Sequence, residues 1–252
     1  MNPKQLIITT MTVLGAGLSG VVANAQHGHL NAGAFGSTPG SQLTFANGLD
    51  FALSSGYVKD LTYATSGTYA GFYEGGITLT ALAATTDNGG PVANAPALGS
   101  FIEARIVSVD GPAGGAFGFW EAGATAPTFS IGSGTRGGTF SFDLSDAELG
   151  AGQPGADPFG HLHGRRFIVT TEGNYTVGFK LFDVSANGPD FGPIHAASDT
   201  LTIQFRGVPE PGTLSLFAVG TVVIGMVAYR RRRMRTGYQV AKPCPQTSTS
   251  PQ

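Results

Sequence analysis

Histidine is the residue type in this chain best suited to chemistry, and four of the five histidines come as two His-x-His pairs, His27-Gly28-His29 and His161-Leu162-His163. His195 stands alone. On an extended strand, positions i and i+2 point to one face, so His161 and His163 would present two imidazoles side by side. Neutral imidazoles at that spacing suit one tetrahedral Zn²⁺ or a Cu²⁺. If the strand bearing His29 lies beside the one bearing His161, four rings converge without any thiolate. His27, His29, His161, His163 and His195 are therefore the candidate metal ligands, and Zn²⁺ or Cu²⁺ the candidate cofactors. The competing reading leaves these rings exposed or hydrogen-bonded near a sheet edge. A chain beginning at His27 would add a terminal amine for Cu²⁺, but that requires cleavage after Gln26, which the small-residue rule disfavours.

Other polar groups point less clearly to chemistry. Gly132-Ser133-Gly134-Thr135-Arg136-Gly137 has dinucleotide-loop spacing, but a strand pattern follows it where a helix is required, so a glycine-rich hairpin turn is expected. Asp143, Asp146, Glu148 and Asp157 offer hard oxygens without the order of a calcium loop. Trp120-Glu121 is the one place where aromatics flank an acid as a sugar site would. The alternative there is a core strand with Phe117, Phe119 and Glu121 on one face and Trp120 on the other. The sequence contains no Gly-x-Ser-x-Gly elbow, no His-Glu-x-x-His and no Cys–His pair. A non-catalytic protein is expected, with a secreted carbohydrate-active enzyme as the least supported alternative.

The elements that must carry these groups read as β. Apolar, aromatic and β-branched stretches recur between glycine, proline, asparagine and aspartate turns at 42–46, 57–64, 69–73, 77–81, 101–109, 117–121, 128–131, 139–144, 161–170, 175–184 and 200–206. Around 145–149 there is at most one helical turn. The 39 glycines in 252 residues far exceed the usual share of about 7% and fall at turns, not in a collagen-like period. Residues 85–99 and 150–160 read as loops. The expected fold class is all-β, an antiparallel β-sandwich spanning residues 26–207.

Between residues 26 and 207 seven basic residues meet fifteen acidic ones, a net charge of −8. Such a surface repels nucleic acid and anionic polysaccharide and favours cations. The lone cysteine, Cys244, lies near the C-terminus, so the β domain has neither disulfide nor thiolate ligand and must hold by burial and strand pairing.

Both ends read as export devices. Lys4, an apolar run over 6–18 and the small-x-small site Ala23-Asn24-Ala25 form a secretory signal peptide over 1–25, implying the Sec export machinery. At the other end Val208-Pro209-Glu210-Pro211 leads into an uncharged apolar run, 213–229, followed by Arg230, Arg231, Arg232, Arg233 and Arg235. Seventeen helical residues span roughly 26 Å, near the lower limit for a bilayer. The arginines keep that end cytoplasmic and place the domain outside. Residues 236–252, rich in Pro, Ser, Thr and Gln, read as a disordered cytoplasmic tail.

That order of motif, apolar run and arginine cluster, over 208–235, resembles the PEP-CTERM sorting signal of exported proteins in Gram-negative bacteria. The resemblance implies processing by an exosortase, a transpeptidase-like membrane protease, and transient residence in the inner membrane as a single-pass protein before release to the cell surface or medium. This chain departs from the pattern by continuing past the arginines. It implies a surface or extracellular-matrix role, with exopolysaccharide or other surface components as candidate ligands. A looser resemblance links Gly160-His161-Leu162-His163 and Gly173-Asn174-Tyr175-Thr176-Val177 to bacterial surface-anchored β-domains with interchangeable anchors, some encoded near metal transporters. It departs at Arg165 and Arg166, where Trp is common, and at Glu172, where Pro is commoner. It singles out His161, His163 and Tyr175.

Overall fold

A computed structural model describes residues 28–86, 93–209 and 221–230. The expected signal peptide over 1–25, His27, Glu210, Pro211, the first part of the apolar run, the arginines after Arg230 and residues 236–252 all lie outside the described residues. Among the described residues there are thirteen strands: β1 (His29–Ala34), β2 (Leu43–Phe45), β3 (Val58–Tyr63), β4 (Tyr73–Gly75), β5 (Thr78–Ala81), β6 (Ile102–Asp110), β7 (Ala116–Trp120), β8 (Phe129–Gly132), β9 (Arg136–Asp143), β10 (Gly160–His161), β11 (Arg166–Val169), β12 (Gly173–Asp183) and β13 (Leu201–Val208).

The strands form two sheets. One has four strands in the order β10-β5-β1-β2; the other has nine, β8-β7-β11-β4-β3-β13-β12-β6-β9. Alternation builds the large sheet: on β12, Tyr175, Val177, Phe179 and Leu181 are buried on one face, and on β13 Ile203 and Phe205 join them. The inner face is a phenylalanine cluster, with Phe117 stacked on Phe167 and Phe119 on Phe142, centroids 5.6 and 4.2 Å apart. Such pairs add about 0.5–1.5 kcal/mol beyond burial. Leu30, Ile77 and Leu79, from β1, β5 and the residue before it, close over Phe167, Phe179 and Ile203, so the two sheets share one core.

The large sheet curls until its edges nearly meet. β8 and β9 are its two outermost strands, yet only the turn at 133–135 separates them in sequence. Phe129 of β8 lies 5.3 Å from Phe140 of β9. At the turn Ser133 N–H donates to Gly115 O and Gly134 N–H to Val109 O. The result is a near-barrel with the small sheet packed against it. Gly134, with φ of 92°, makes the tight connection expected of the glycine-rich motif.

The all-β expectation holds, and the antiparallel sandwich needs correcting. β1 runs parallel to β5, and β13 parallel to β3. The predicted strand at 161–170 is two strands in different sheets, broken by a turn in which Gly164 has φ of 85°. Residues 69–72 are turn, and pairing begins only at Tyr73. β1 carries no strong strand signal because three of its four buried positions are small: Ala32, Gly33 and Ala34, beside Leu30. The short helical turn is present at Ala147–Leu149.

Of the expected crossing at 213–229, only the C-terminal part lies within the described residues. Its described part, 221–230, is helical, and Val222, Ile224, Met226 and Tyr229 are all exposed. Ten residues extend only about 15 Å. Among the described residues no helix is long and apolar enough to cross a membrane.

Candidate functional site

Strand pairing brings three of the candidate imidazoles together. In the small sheet His29 of β1 is opposite Thr78 of β5, and His161 of β10 is opposite Thr80. Thr78 and Thr80 are two residues apart on β5 and so share a face; cross-strand partners point the same way, and both histidines therefore lie on that face. Leu79, between the threonines, faces the core. The His29 and His161 rings are 4.6 Å apart between centroids, and His161 is 4.3 Å from His163. His163 closes the triangle at 6.3 Å from His29.

The surrounding residues fix this placement. Asn47 clamps β1 by donating from Nδ2 to His29 O at 2.7 Å and accepting at Oδ1 from Asn31 N–H at 2.8 Å. Asp157 ties the loop before β10 to the chain after β5 by accepting from Ala84 N–H and Phe159 N–H, each at 3.1 Å. Ser145 Oγ donates to Pro158 O at 2.6 Å. Gly160 then lies so close to Leu144 that any side chain there would overlap its carbonyl. Asp146 caps the turn at Ala147–Leu149 by accepting from Glu148 N–H. Asp146 and Asp157 thus have the turn-forming roles that compete with calcium binding.

Burial holds the His161 imidazole below its ordinary range, and the neighbouring His163 and His29 rings push it further down. The ring is thereby favoured in its neutral form, the form that ligates metal. Its Nε2 is buried without a hydrogen-bond partner, as is the hydroxyl of Thr80 opposite it. A polar atom left in that state costs about 1–3 kcal/mol. In the rotamers present, no group of three or more His, Cys, Asp and Glu among the described residues is set to hold a metal ion. The rings are neighbours, not a finished ligand set.

His163 also borders a polar cleft of about 860 Å³, shared with Tyr57, Lys59, Glu74, Arg165 and Arg166. Burial holds the Lys59 ammonium below its ordinary range, Arg166 lowers it further, and Asp60 and Glu74 oppose the shift. Arg166 pairs with Glu74 at 3.0 Å and Arg165 with Glu121 at 2.7 Å. Sequence reading missed this cleft because its members come from β3 and the residue before it, β4, the β10–β11 turn and the start of β11, far apart in the chain.

The other candidates fall elsewhere. His195 is buried and lies apart from the three. Its Nε2 accepts from Ala97 N–H at 2.8 Å, which puts the ring proton on Nδ1, 3.0 Å from Ser41 O. It is a structural rivet. Tyr175 is fully buried, with its hydroxyl 2.6 Å from Thr171 Oγ1 and donating to Thr171 O at 3.3 Å, the arrangement of a tyrosine corner. Trp120 is buried beneath Tyr69 on the face opposite Phe117 and Phe119, with its Nε1 donating to Ala124 O at 2.9 Å. Val208 ends β13, Pro209 follows it, and Arg230 lies in the described helical segment 221–230.

The last strand of the β body thus runs directly into the Pro-Glu-Pro segment and its apolar and basic continuation. That arrangement defines a class: an exported protein with a C-terminal sorting signal. Residues 207–233 match the family model of the PEP-CTERM protein-sorting motif, so the chain carries that sorting motif at its C-terminal end. The motif implies export and processing by an exosortase. No curated protein and no solved structure is significantly similar to the chain.

Proposed function

We propose that this protein is a non-catalytic component of the cell surface or extracellular matrix, whose β body is an interaction module delivered by the C-terminal motif. The match at 207–233 carries the reading. It begins inside β13, so no linker separates the folded body from the segment that directs sorting. In this reading the Sec machinery exports the chain, the inner membrane holds it transiently through residues 213–229, and an exosortase processes it. The cysteine-free body fits an exported protein whose stability does not depend on thiol chemistry. The acidic surface disfavours nucleic acid and leaves uncharged exopolysaccharide or other surface components as ligands.

Fractionation of cells tests this. The intact chain is expected at the surface or in the medium. A Pro209→Ala/Glu210→Ala/Pro211→Ala variant is expected to accumulate in the inner membrane. An unchanged distribution would reject the sorting role. A glycan-hydrolysis screen tests the non-catalytic assignment: turnover abolished by Glu121→Gln would reject it.

A further inference from the structure

We propose that His29, His161 and His163 together bind one divalent transition-metal ion, Zn²⁺ or Cu²⁺, on the outer face of the four-stranded sheet. Nothing in the sorting motif requires such a site.

The separations fit one ion. A metal–nitrogen bond of about 2.0–2.1 Å puts two imidazole centroids on a tetrahedral centre roughly 5 Å apart. The three observed separations, 4.3, 4.6 and 6.3 Å, bracket that value. Binding requires the side chains to turn until their nitrogens aim at a common point, since they are not so set now. His163 is exposed and free to do so, and the backbones of His29 and His161 are already fixed on β1 and β10, the two strands that flank β5.

The donor chemistry agrees. His161 Nε2 is buried and has no hydrogen-bond partner, so coordination would satisfy a nitrogen that the fold leaves orphaned. Three imidazoles without thiolate select Zn²⁺ or Cu²⁺ over Mg²⁺ or Ca²⁺, which prefer oxygen. Three protein ligands leave a fourth position for water or an outside donor. His163 lies on both the cluster and the polar cleft, which provides the entry path a metal site requires.

The site would join β1 to the β10–β11 turn, and so the small sheet to the point where the chain enters the large one. His195 takes no part, since both of its nitrogens are engaged.

Isothermal titration of the full chain, stripped of metal by a chelator, with Zn²⁺ and separately with Cu²⁺ tests the proposal. One equivalent of at least one metal is expected to bind. His163→Ala should weaken binding at least tenfold; this side chain is exposed, so the variant should fold. His29→Ala and His161→Asn should do the same, with folding checked by circular dichroism. In the proton NMR spectrum the ring signals of these three histidines should move with metal while those of His195 stay. No stoichiometric uptake, uptake unchanged by His163→Ala and His29→Ala, or uptake lost in Cys244→Ser would each overturn the proposal.

Discussion

Asp183 holds its surroundings through one buried carboxylate. Its Oδ1 accepts from Phe101 N–H and Ser185 N–H, and its Oδ2 from Ile194 N–H and His195 N–H, all within 2.8–3.1 Å. Asp183→Ala leaves four donors with no partner and is expected to cost about 3 kcal/mol or more, read as a lower midpoint in urea at unchanged slope. Asp143 contrasts with it. Burial raises its pKa, Glu103 and Glu121 raise it further, and Arg165 opposes them. A carboxyl whose folded pKa is raised holds its proton longer in the native state than in the unfolded one. Stability is therefore lost as pH rises from the ordinary carboxylate value through the raised one. Asp143→Asn is expected to raise Tm at pH 7 and to change it little at pH 3, where both states carry the proton. A thermal melt at the two pH values checks this; a gain at pH 3 equal to that at pH 7 would contradict it. Neither role was legible in the sequence, because each depends on which backbone amides or charges the fold brings up to an otherwise ordinary aspartate.

Element geometry decides whether the histidines meet. His-x-His was legible as a pair, and the expectation that the first strand would approach the second pair is met for His29. The intermediary was not legible. β5 lies between β1 and β10, and only its parallel pairing to one and antiparallel pairing to the other puts Thr78 and Thr80 under both rings. The reading of 161–170 as one strand failed for a local reason: Gly164 takes a left-handed conformation and sends the chain from one sheet to the other. β1 was missed because small side chains let it pack closely without a β-branched signal. Gly33, for instance, lies so near Asn94 O that no larger residue fits. Gly160 has the same constraint against Leu144. Gly160→Ala is expected to cost about 1–3 kcal/mol by overpacking and to separate His161 from His29. A urea titration measures the first effect, and loss of ring-to-ring nuclear Overhauser contacts between the two histidines the second. Wild-type stability and contacts would show that β10 tolerates the added methyl.

On the scale of the whole molecule, the β class was legible because turn residues recur at short intervals and no long helical period appears before the tail. The near-barrel was not, since strand order within a nine-stranded sheet depends on contacts between distant segments. Stability rests on the phenylalanine core and the pairing ladder, and the single cysteine lies outside them. Tm is therefore expected to be the same with and without dithiothreitol; a drop on reduction would reveal a cross-link that this account lacks. Surface ion pairs add little. Even the two-pronged Arg206–Asp60 pair, at 2.8 and 3.0 Å, is exposed and screened by water and salt, so breaking it should change stability little. The C-terminal motif was the most legible feature, because its order of proline, acid, apolar run and arginines is local and independent of the fold.

Delivery of the β body outside the cytoplasm, and its release through that motif, would leave a defined C-terminus on the mature chain. The mass of the mature chain recovered from the cell surface or medium tests it most directly. A C-terminus within or just after 208–211, with the arginines and residues 236–252 gone, is the predicted result. A mature chain that still ends at Gln252, in cells with an active exosortase, would contradict it.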